Sequence, residues 1–467
     1  MNNAATAPGI EGATIYAVSS GAGRAGVAVL RLSGPAAAPA LRALAGRLPE
    51  PQRATLVRLR DPESRERIDR GLVLYFPAPA SFSGEDMAEL HVHGSRAVLA
   101  RLLAVLARLS GLRPAEPGEF TRRAFENGKL DLAAVEGLID LIDAETEAQR
   151  RQALRQMEGA LGRQAEDWRE RLLRTLALVE AEIDFVDEAD VPESVGRRAA
   201  EEAAPLLAEI RRHLADVRRG ERIRDGIVVV IAGPPNAGKS TLLNALARRE
   251  VAIVSAEAGT TRDVIEVRLD LASQAVTLLD TAGLREAESA VEREGVRRAL
   301  ERAERADLVL WLEAADADPA PPPETLAGGP LLRLWTKCDL APGGSRLEDR
   351  SDLEDRSGLD GQSGSDRLDI SARTGEGIPA LLDRLSAFAA EAGLEPALVT
   401  RERQRLALQD CADALARVVA ASASRDIALE LVAEDLRLAA RALGRLTGRV
   451  DVEDLLDVIF REFCIGK

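Results

Sequence analysis

Two hydrophobic periods divide the chain. Thr14-Ile15-Tyr16-Ala17-Val18 and Gly26-Val27-Ala28-Val29-Leu30-Arg31-Leu32 read as strands around a Gly/Arg turn. Gly71 to Phe76 and Ala88 to His93 read as two more, so residues 13–123 predict a mixed α+β region. From Phe125 to about Gly220, Leu, Ile and Ala recur at three- and four-residue spacing, which predicts helices. Ile227 to Ile231, Ala275 to Leu279 and Leu331 to Trp335 are apolar runs that read as buried strands, and Thr241 to Leu246 reads as a helix. Glu391 to Ile465 is helical again. The two helical stretches flank the α/β unit, which is therefore expected to be inserted into one helical domain. The expected boundaries are 1–124, 125–223, 224–389 and 390–467. Asp316 to Pro330 and Ala341 to Asp366 read as loops; the second carries a partial Leu-Glu-Asp-Arg-Ser repeat and is assigned no chemistry.

The strand at Ile227 runs into Gly233-Pro234-Pro235-Asn236-Ala237-Gly238-Lys239-Ser240, followed by Thr241. This is GxxxxGK[ST] in the strand–loop–helix setting that a phosphate-binding loop requires. Backbone N–H groups and a helix N-terminus favour anionic phosphate there. Lys239 would reach the β- and γ-phosphates, and Ser240 would hold Mg²⁺. Asp280-Thr281-Ala282-Gly283 ends the next apolar strand and has the DxxG form. Asp280 would sit near Mg²⁺, and Gly283 would sense the γ-phosphate. Gly259-Thr260-Thr261-Arg262-Asp263 lies where a first switch loop belongs, and Thr261 could give Mg²⁺ a second hydroxyl. Thr336-Lys337-Cys338-Asp339 matches the guanine-reading NKxD except at its first position. Asp339 can accept from guanine N1 and N2 hydrogens, a discrimination that buried polar groups make strong. Ser371-Ala372-Arg373 fits the last guanine-side loop. Five such motifs in order indicate GTP. Leu284 stands where a water-orienting Gln follows DxxG in Ras-type enzymes. Glu292 and a monovalent cation near Asn236 are the candidates for that work, though spacing alone makes Glu292 a solvated helix residue.

Composition narrows the setting. The 467 residues suit three domains, aromatic content is only 3%, and the formal charge is −15. That charge argues against broad non-specific nucleic-acid binding and leaves a local basic face open. Cys338, Cys411 and Cys464 form no CxxC pair, so neither a disulfide framework nor a zinc ribbon is expected. No signal peptide or bilayer-spanning run is evident, and a cytoplasmic location is expected. His91 and His93 share one strand face, but nothing local completes a metal site, so they read as satisfied histidines. Cys464, in Phe463-Cys464-Ile465-Gly466-Lys467, does not fit a prenylation signal. A catalytic thiol there would need a cationic neighbour or a helix end to lower its pKa.

The chain resembles the MnmE (TrmE) family of tRNA-modification GTPases over almost its full length. The likeness rests on Gly23-Arg24-Ala25-Gly26-Val27, Leu30-Arg31-Leu32-Ser33-Gly34, Ser81-Phe82-Ser83-Gly84-Glu85-Asp86, Pro117-Gly118-Glu119-Phe120-Thr121, Lys129-Leu130-Asp131-Leu132, the GTPase motifs and the Phe463 to Lys467 pentapeptide. It implies an α+β folate-binding-like N-terminal domain that dimerises, an all-α helical domain, and an inserted α/β Ras-like P-loop GTPase domain. Arg31, Glu89, Lys129 and Lys467 match folate-contacting positions for a 5-formyl- or methylene-tetrahydrofolate. Asn236, Ser255, Glu257 and Thr260 match potassium-loop positions, within a nucleotide-binding run that includes Ala256, Ala258 and Gly259. Glu292 matches the catalytic glutamate, and Cys464 the cysteine implicated in tRNA modification. The resemblance further implies K⁺-dependent GTP hydrolysis in a homodimer. The flavoprotein partner MnmG, in a heterotetramer or larger assembly, would bring FAD and NADH. The pair adds an aminomethyl-type group (aminomethyl or carboxymethylaminomethyl) at C5 of the wobble uridine, U34, of certain tRNAs. Thr336 departs from the usual Asn, and the insertion after Asp339 is long. The rival readings are a ribosome-assembly GTPase switch, which needs neither the folate-type segment nor the Cys464 tail, and a membrane-associated scaffold, for which no amphipathic anchor is present.

Overall fold

A computed structural model describes residues 12–21, 23–184, 195–249, 251–253, 266–280, 306–318, 321–322, 329–340, 367–391, 395–421, 428–450, 456, 459–461, 463 and 465–466. Glu292, Cys464, Lys467, the 255–261 loop and Thr281-Ala282-Gly283 lie outside these residues. By internal contacts the chain falls into two units. One is Met1–Ile139, Gln156–Ile210 and Leu406–Lys467; the other is Asp140–Arg155 and Arg211–Arg405.

In the first unit, β1 (Thr14–Val18), β2 (Ala25–Ser33), β3 (Thr55–Arg60), β4 (Arg67–Phe76), β5 (Met87–Gly94) and β6 (Leu112–Pro114) form one sheet in the order β3-β4-β5-β2-β1-β6. Its pairs are antiparallel except β1 with β6. The alternation read from the sequence is the cause of its two faces. Leu30, Leu32, Val73, Leu90 and Val92 point one way and are buried under α1 (Ala37–Ala45) and α2 (Arg96–Leu106). Burying such a side chain contributes about 1.5–3 kcal/mol. Arg31, Glu89, His91 and His93 occupy the other face. β3 and β6 add to the strands expected from the sequence. β3 is an edge strand whose outward Leu56, Arg58 and Arg60 dilute its apolar signal.

Helix α3 (Glu119–Glu126) closes this second face at one end. Ile15, Ala17, Met87 and Phe120 form a small core there, with Phe82 packed on it. Glu119 ties α3 to β6 by pairing with Arg113, and it also pairs with Arg123. Burial pushes the Glu119 carboxyl up, but hydrogen bonds from Arg113 and the Glu116 backbone outweigh it and hold the group below its usual range. Stability from such a depressed carboxylate is present above the unfolded pKa and lost as pH falls through the folded one. The first unit also holds most of α4 (Leu132–Ile142), α6 (Ala160–Asp184) and most of α7 (Val195–Ala215), while α5 (Glu147–Met157) falls mainly in the second. Leu132, Val135 and Ile139 pack with Ile459, Phe460 and Phe463.

In the second unit α5 is followed in sequence by α8 (Val217–Asp225), β7 (Ile227–Ala232) and α9 (Lys239–Ala247). Its sheet continues through β8 (Glu266–Leu271), β9 (Gln274–Asp280), β10 (Leu308–Ala314), β11 (Leu331–Thr336) and β12 (Arg367–Asp369), in the order β12-β11-β10-β7-β9-β8. Only β8 runs antiparallel to its neighbour. β9 and β10 are buried at every position. Ala275 to Leu279 reads as an apolar run for that reason, since central strands are covered on both faces, and β10 adds to the strands expected from the sequence. Leu242, Leu243 and Leu246 of α9 cover one side, with Ile378, Leu381 and Leu385 of α10 (Ile378–Glu391). The chain leaves β7 toward β9 on one side and β10 lies on the other. The mouth of β7 is therefore a topological switch point, where α/β sheets bind ligands. α11 (Glu402–Ala421) and α12 (Leu429–Thr447) complete the described helices, and α12 packs on α6 within the first unit. Among the described residues no helix is long and apolar enough to cross a membrane.

Candidate functional site

The phosphate loop joins β7 to α9 with a backbone that only certain residues allow. Gly233 sits at φ +151°, and a Cβ there would lie 2.5 Å from the Leu312 carbonyl oxygen. Asn236 is left-handed at φ +61°, and Gly238 caps α9 at φ +91°. The loop thus turns back over the start of α9, whose first-turn N–H groups carry partial positive charge. Lys239 is buried along its stem, and its Nζ donates to the Gly233 and Pro234 carbonyls at 3.0 and 2.9 Å. Ser240 Oγ donates to Asp280 Oδ2 at 2.7 Å. A hydroxyl and a carboxylate so juxtaposed are the hard oxygen donors that Mg²⁺ takes. Thr241 follows in the same helix. Thr261, the other expected magnesium ligand, lies outside the described residues, as do Ser255, Ala256, Glu257, Ala258, Gly259 and Thr260.

The loops expected to read guanine converge beside this mouth. Asp339 Oδ1 accepts from Ser371 Oγ at 2.8 Å, and the Arg373 guanidinium is 3.9 Å from its other oxygen. Cys338 N–H donates to the Ile370 carbonyl, which seats the two loops together, with Ala372 following Ser371. Lys337, left-handed at φ +58°, donates to both Asp316 oxygens at 2.9 Å. That hydrogen bond holds the Asp316 carboxyl below its ordinary range. Asp316 was not legible from the sequence, because it follows β10 rather than any guanine motif.

Thr336 is the instructive departure. It is buried, and its Oγ1 donates to the Ala237 carbonyl of the phosphate loop at 2.6 Å. The residue in place of Asn therefore ties the end of β11 to that loop. Thr336→Val keeps the shape and strands a buried carbonyl, a loss of about 1–3 kcal/mol. Titration with a fluorescent guanine nucleotide should show affinity weakened about tenfold or more. Unchanged affinity would remove Thr336 from the site's support.

The first unit carries a separate constellation. Arg31 Nε and Nη2 donate to Glu89 Oε1 at 3.2 and 3.0 Å. His91 Nε2 lies 3.0 Å from Glu89 Oε2. The Arg31 guanidinium lies 5.5 Å from the Phe82 ring centroid and 5.9 Å from that of Phe120. Lys129 Nζ donates to the Pro79 carbonyl, and Asn127 donates to the Ser83 carbonyl, so both hold the loop that carries Phe82. A carboxylate beside a guanidinium and aromatic faces suits a flat amino-heterocycle. Phe82, Phe120 and His91 join the expected residues here; Phe82 and Phe120 stand inside motifs that sequence reading quoted without assigning them a part. His93 contacts Asp69 at 2.9 Å instead.

The final residues dock on this unit. Ile465 bridges Pro117, and Ser19 Oγ donates to the Gly466 carbonyl at 2.8 Å. Gly466 has φ +99°, and a Cβ there would lie 2.2 Å from the Val18 carbonyl oxygen. Gly466 therefore lies at the end of β1, the strand paired with Arg31's strand through Ala17. Of the other cysteines, Cys411 is fully buried and its thiol is pushed up to about 12, which leaves it inert at neutral pH.

A protein of Parvibaculum lavamentivorans named tRNA modification GTPase MnmE is 60% identical over 458 residues, covering 97% of this chain and 100% of its own. The chain belongs to the MnmE family. Relatives of the same name from a Bradyrhizobium species (strain ORS 278) and from Beijerinckia indica are each 56% identical over 97% of this chain, and over 99% and 96% of their own. The family description "MnmE helical domain" matches residues 132–464, and "GTP-binding protein TrmE N-terminus" matches 14–129. Members of the MnmE family are GTPases, and this chain is one.

Proposed function

We propose that this chain hydrolyses GTP in a K⁺- and Mg²⁺-dependent manner to drive modification at C5 of the wobble uridine of certain tRNAs. It would do so with a flavoprotein partner of the MnmG type and a one-carbon tetrahydrofolate. The observation that carries the reading is the Arg31–Glu89 pair under Phe82 and Phe120 in a chain that also holds a phosphate loop. A simple GTP switch has no use for such a cradle.

The nucleotide roles rest on the sequence motifs and the family resemblance, with the phosphate-loop geometry in support. The α9 N-terminus and the loop N–H groups would bind the phosphates, with Lys239 turned from the loop carbonyls onto the β- and γ-phosphates. Ser240 and Thr261 would hold Mg²⁺, with Asp280 beside it; when bound, the ion neutralises charge on the transferred phosphoryl group. Asn236, Ser255, Glu257 and Thr260 would hold K⁺, which supplies positive charge at the developing anion. Asp339 would read guanine, oriented by Ser371. Glu292 would orient the attacking water. In the first unit, Arg31, Glu89, Lys129 and Lys467 would bind the folate, and Cys464 would serve the modification. The GTPase domain, 224–389, would interrupt a helical domain of 125–223 and 390–467, after an N-terminal dimerisation domain of 1–124. The whole would act in the cytoplasm.

Mass spectrometry of tRNA nucleosides tests this. Cells lacking the gene should lose the C5-modified wobble uridine, and wild-type protein should restore it while Cys464→Ser does not. Restoration by both would take Cys464 out of the chemistry. An unchanged profile in the deletion would overturn the modification reading and favour a ribosome-assembly switch.

A further inference from the structure

The β3–β4 hairpin carries an unusual cross-strand pattern. Arg58 lies directly opposite Arg70, and Arg60 directly opposite Arg67. All four are exposed, as is Arg65 in the turn between the strands. Like charges directly opposed across a sheet are destabilising. The hairpin is not short of carboxylates that could relieve this, but they are engaged elsewhere. Asp61 is buried and takes Arg101 and Arg108 at 3.0 and 2.8 Å. Glu66 takes Arg101, Glu63 takes Arg108, and Asp69 takes His93. Among the described residues, Arg58, Arg65, Arg67 and Arg70 form no ion pair, and Arg60 donates only to the Arg65 carbonyl. The result is five unneutralised guanidiniums on one hairpin of a chain whose formal charge is −15.

Charges on an edge strand guard against stray pairing, and Arg58 and Arg60 on β3 would serve that end. Arg67 and Arg70 sit on β4, which is flanked by β3 and β5, so edge protection does not account for them. A cluster kept at a cost to the hairpin fits an external polyanion. Guanidinium groups suit phosphate, and the neutralised phosphates release counterions. We propose that this hairpin face docks the tRNA backbone and so positions the RNA on the unit that holds the Arg31–Glu89 cradle. This rests on the tRNA-modification reading. The contacts are to phosphate, so the surface orients the RNA without reading its sequence.

The test uses the full chain and a tRNA transcript with a wobble uridine, titrated by fluorescence anisotropy between about 50 and 200 mM KCl. Arg58→Ala/Arg70→Ala should weaken binding about tenfold and lower the slope of log affinity against log salt by about 2. GTP hydrolysis should be unchanged. Arg58→Glu places opposite charges across the strands, so it should raise the melting temperature by about 1–2 °C while still weakening RNA binding. That opposition of stability and binding is not expected of a merely solvated face. The proposal is overturned if wild-type protein does not hold the transcript, or if the double variant binds with the same affinity and slope. It is also overturned if the variants alter sedimentation and leave RNA binding intact, since the face would then join copies of the chain. Nucleoside analysis of the deletion strain reads the parent hypothesis separately. An unchanged profile there with weakened binding here would remove the modification reading and leave the RNA surface standing.

Discussion

Lys239→Ala should reduce GTP turnover by about 10²–10³-fold, the usual loss when a preorganised charge on a developing anion is removed. The argument starts from burial. The Lys239 stem is packed, and its ammonium is confined to the loop mouth, where it faces the Gly233 and Pro234 carbonyls. An ammonium held there would meet γ-phosphate charge with little reorganisation. The substitution also removes the ammonium from the Gly233 and Pro234 carbonyls, of which Pro234 keeps the Ala237 N–H, so about 1 kcal/mol is lost at Gly233 if water does not replace the donor. A melting curve recorded beside the phosphate-release assay in Mg²⁺ and KCl separates that cost from catalysis. Turnover within threefold of wild type would exclude Lys239 from the phosphate-binding role.

Arg31→Ala should weaken binding of 5-formyltetrahydrofolate by about 10–100-fold, measured by calorimetry on the full chain. Hydrogen bonds to charged groups contribute roughly 1.5–3 kcal/mol each. The guanidinium holds Glu89 through two N–H groups at 3.2 and 3.0 Å and spans the Phe82 and Phe120 rings. Its removal leaves Glu89 with His91 alone and opens space between the rings. Arg31→Lys should not rescue fully, because an ammonium cannot repeat the planar contacts. Intrinsic GTP turnover should be unaltered. Undiminished folate binding would break the link between this cradle and one-carbon chemistry.

The phosphate loop was legible because its determinants are local. It needs glycine at φ values other residues resist, flanked by a buried strand and a helix, and all three are contiguous in Ile227 to Ala247. β7 and β9 were legible for a related reason: a strand covered on both faces is apolar at most positions. Edge strands were harder. β3 and β8 expose alternate residues to water, so charge interrupts their pattern. β6 is three residues long and has no period to detect.

What depends on distant residues could not be read along the chain. The sequence by itself determined that a GTP-binding motif set is present, that Thr336 stands where its guanine motif usually has Asn, and that an α/β segment lies between two helical stretches. Only the tertiary structure decided what Thr336 does, since its partner Ala237 is 99 residues away and the bond depends on β10 separating β7 from β11. It likewise decided that Arg31 faces Glu89, 58 residues later, and that Gly466 reaches Ser19 across 447 residues. The reason is physical. Local propensity and periodicity act over a few residues, whereas a site is made where sheet register and packing bring remote residues together.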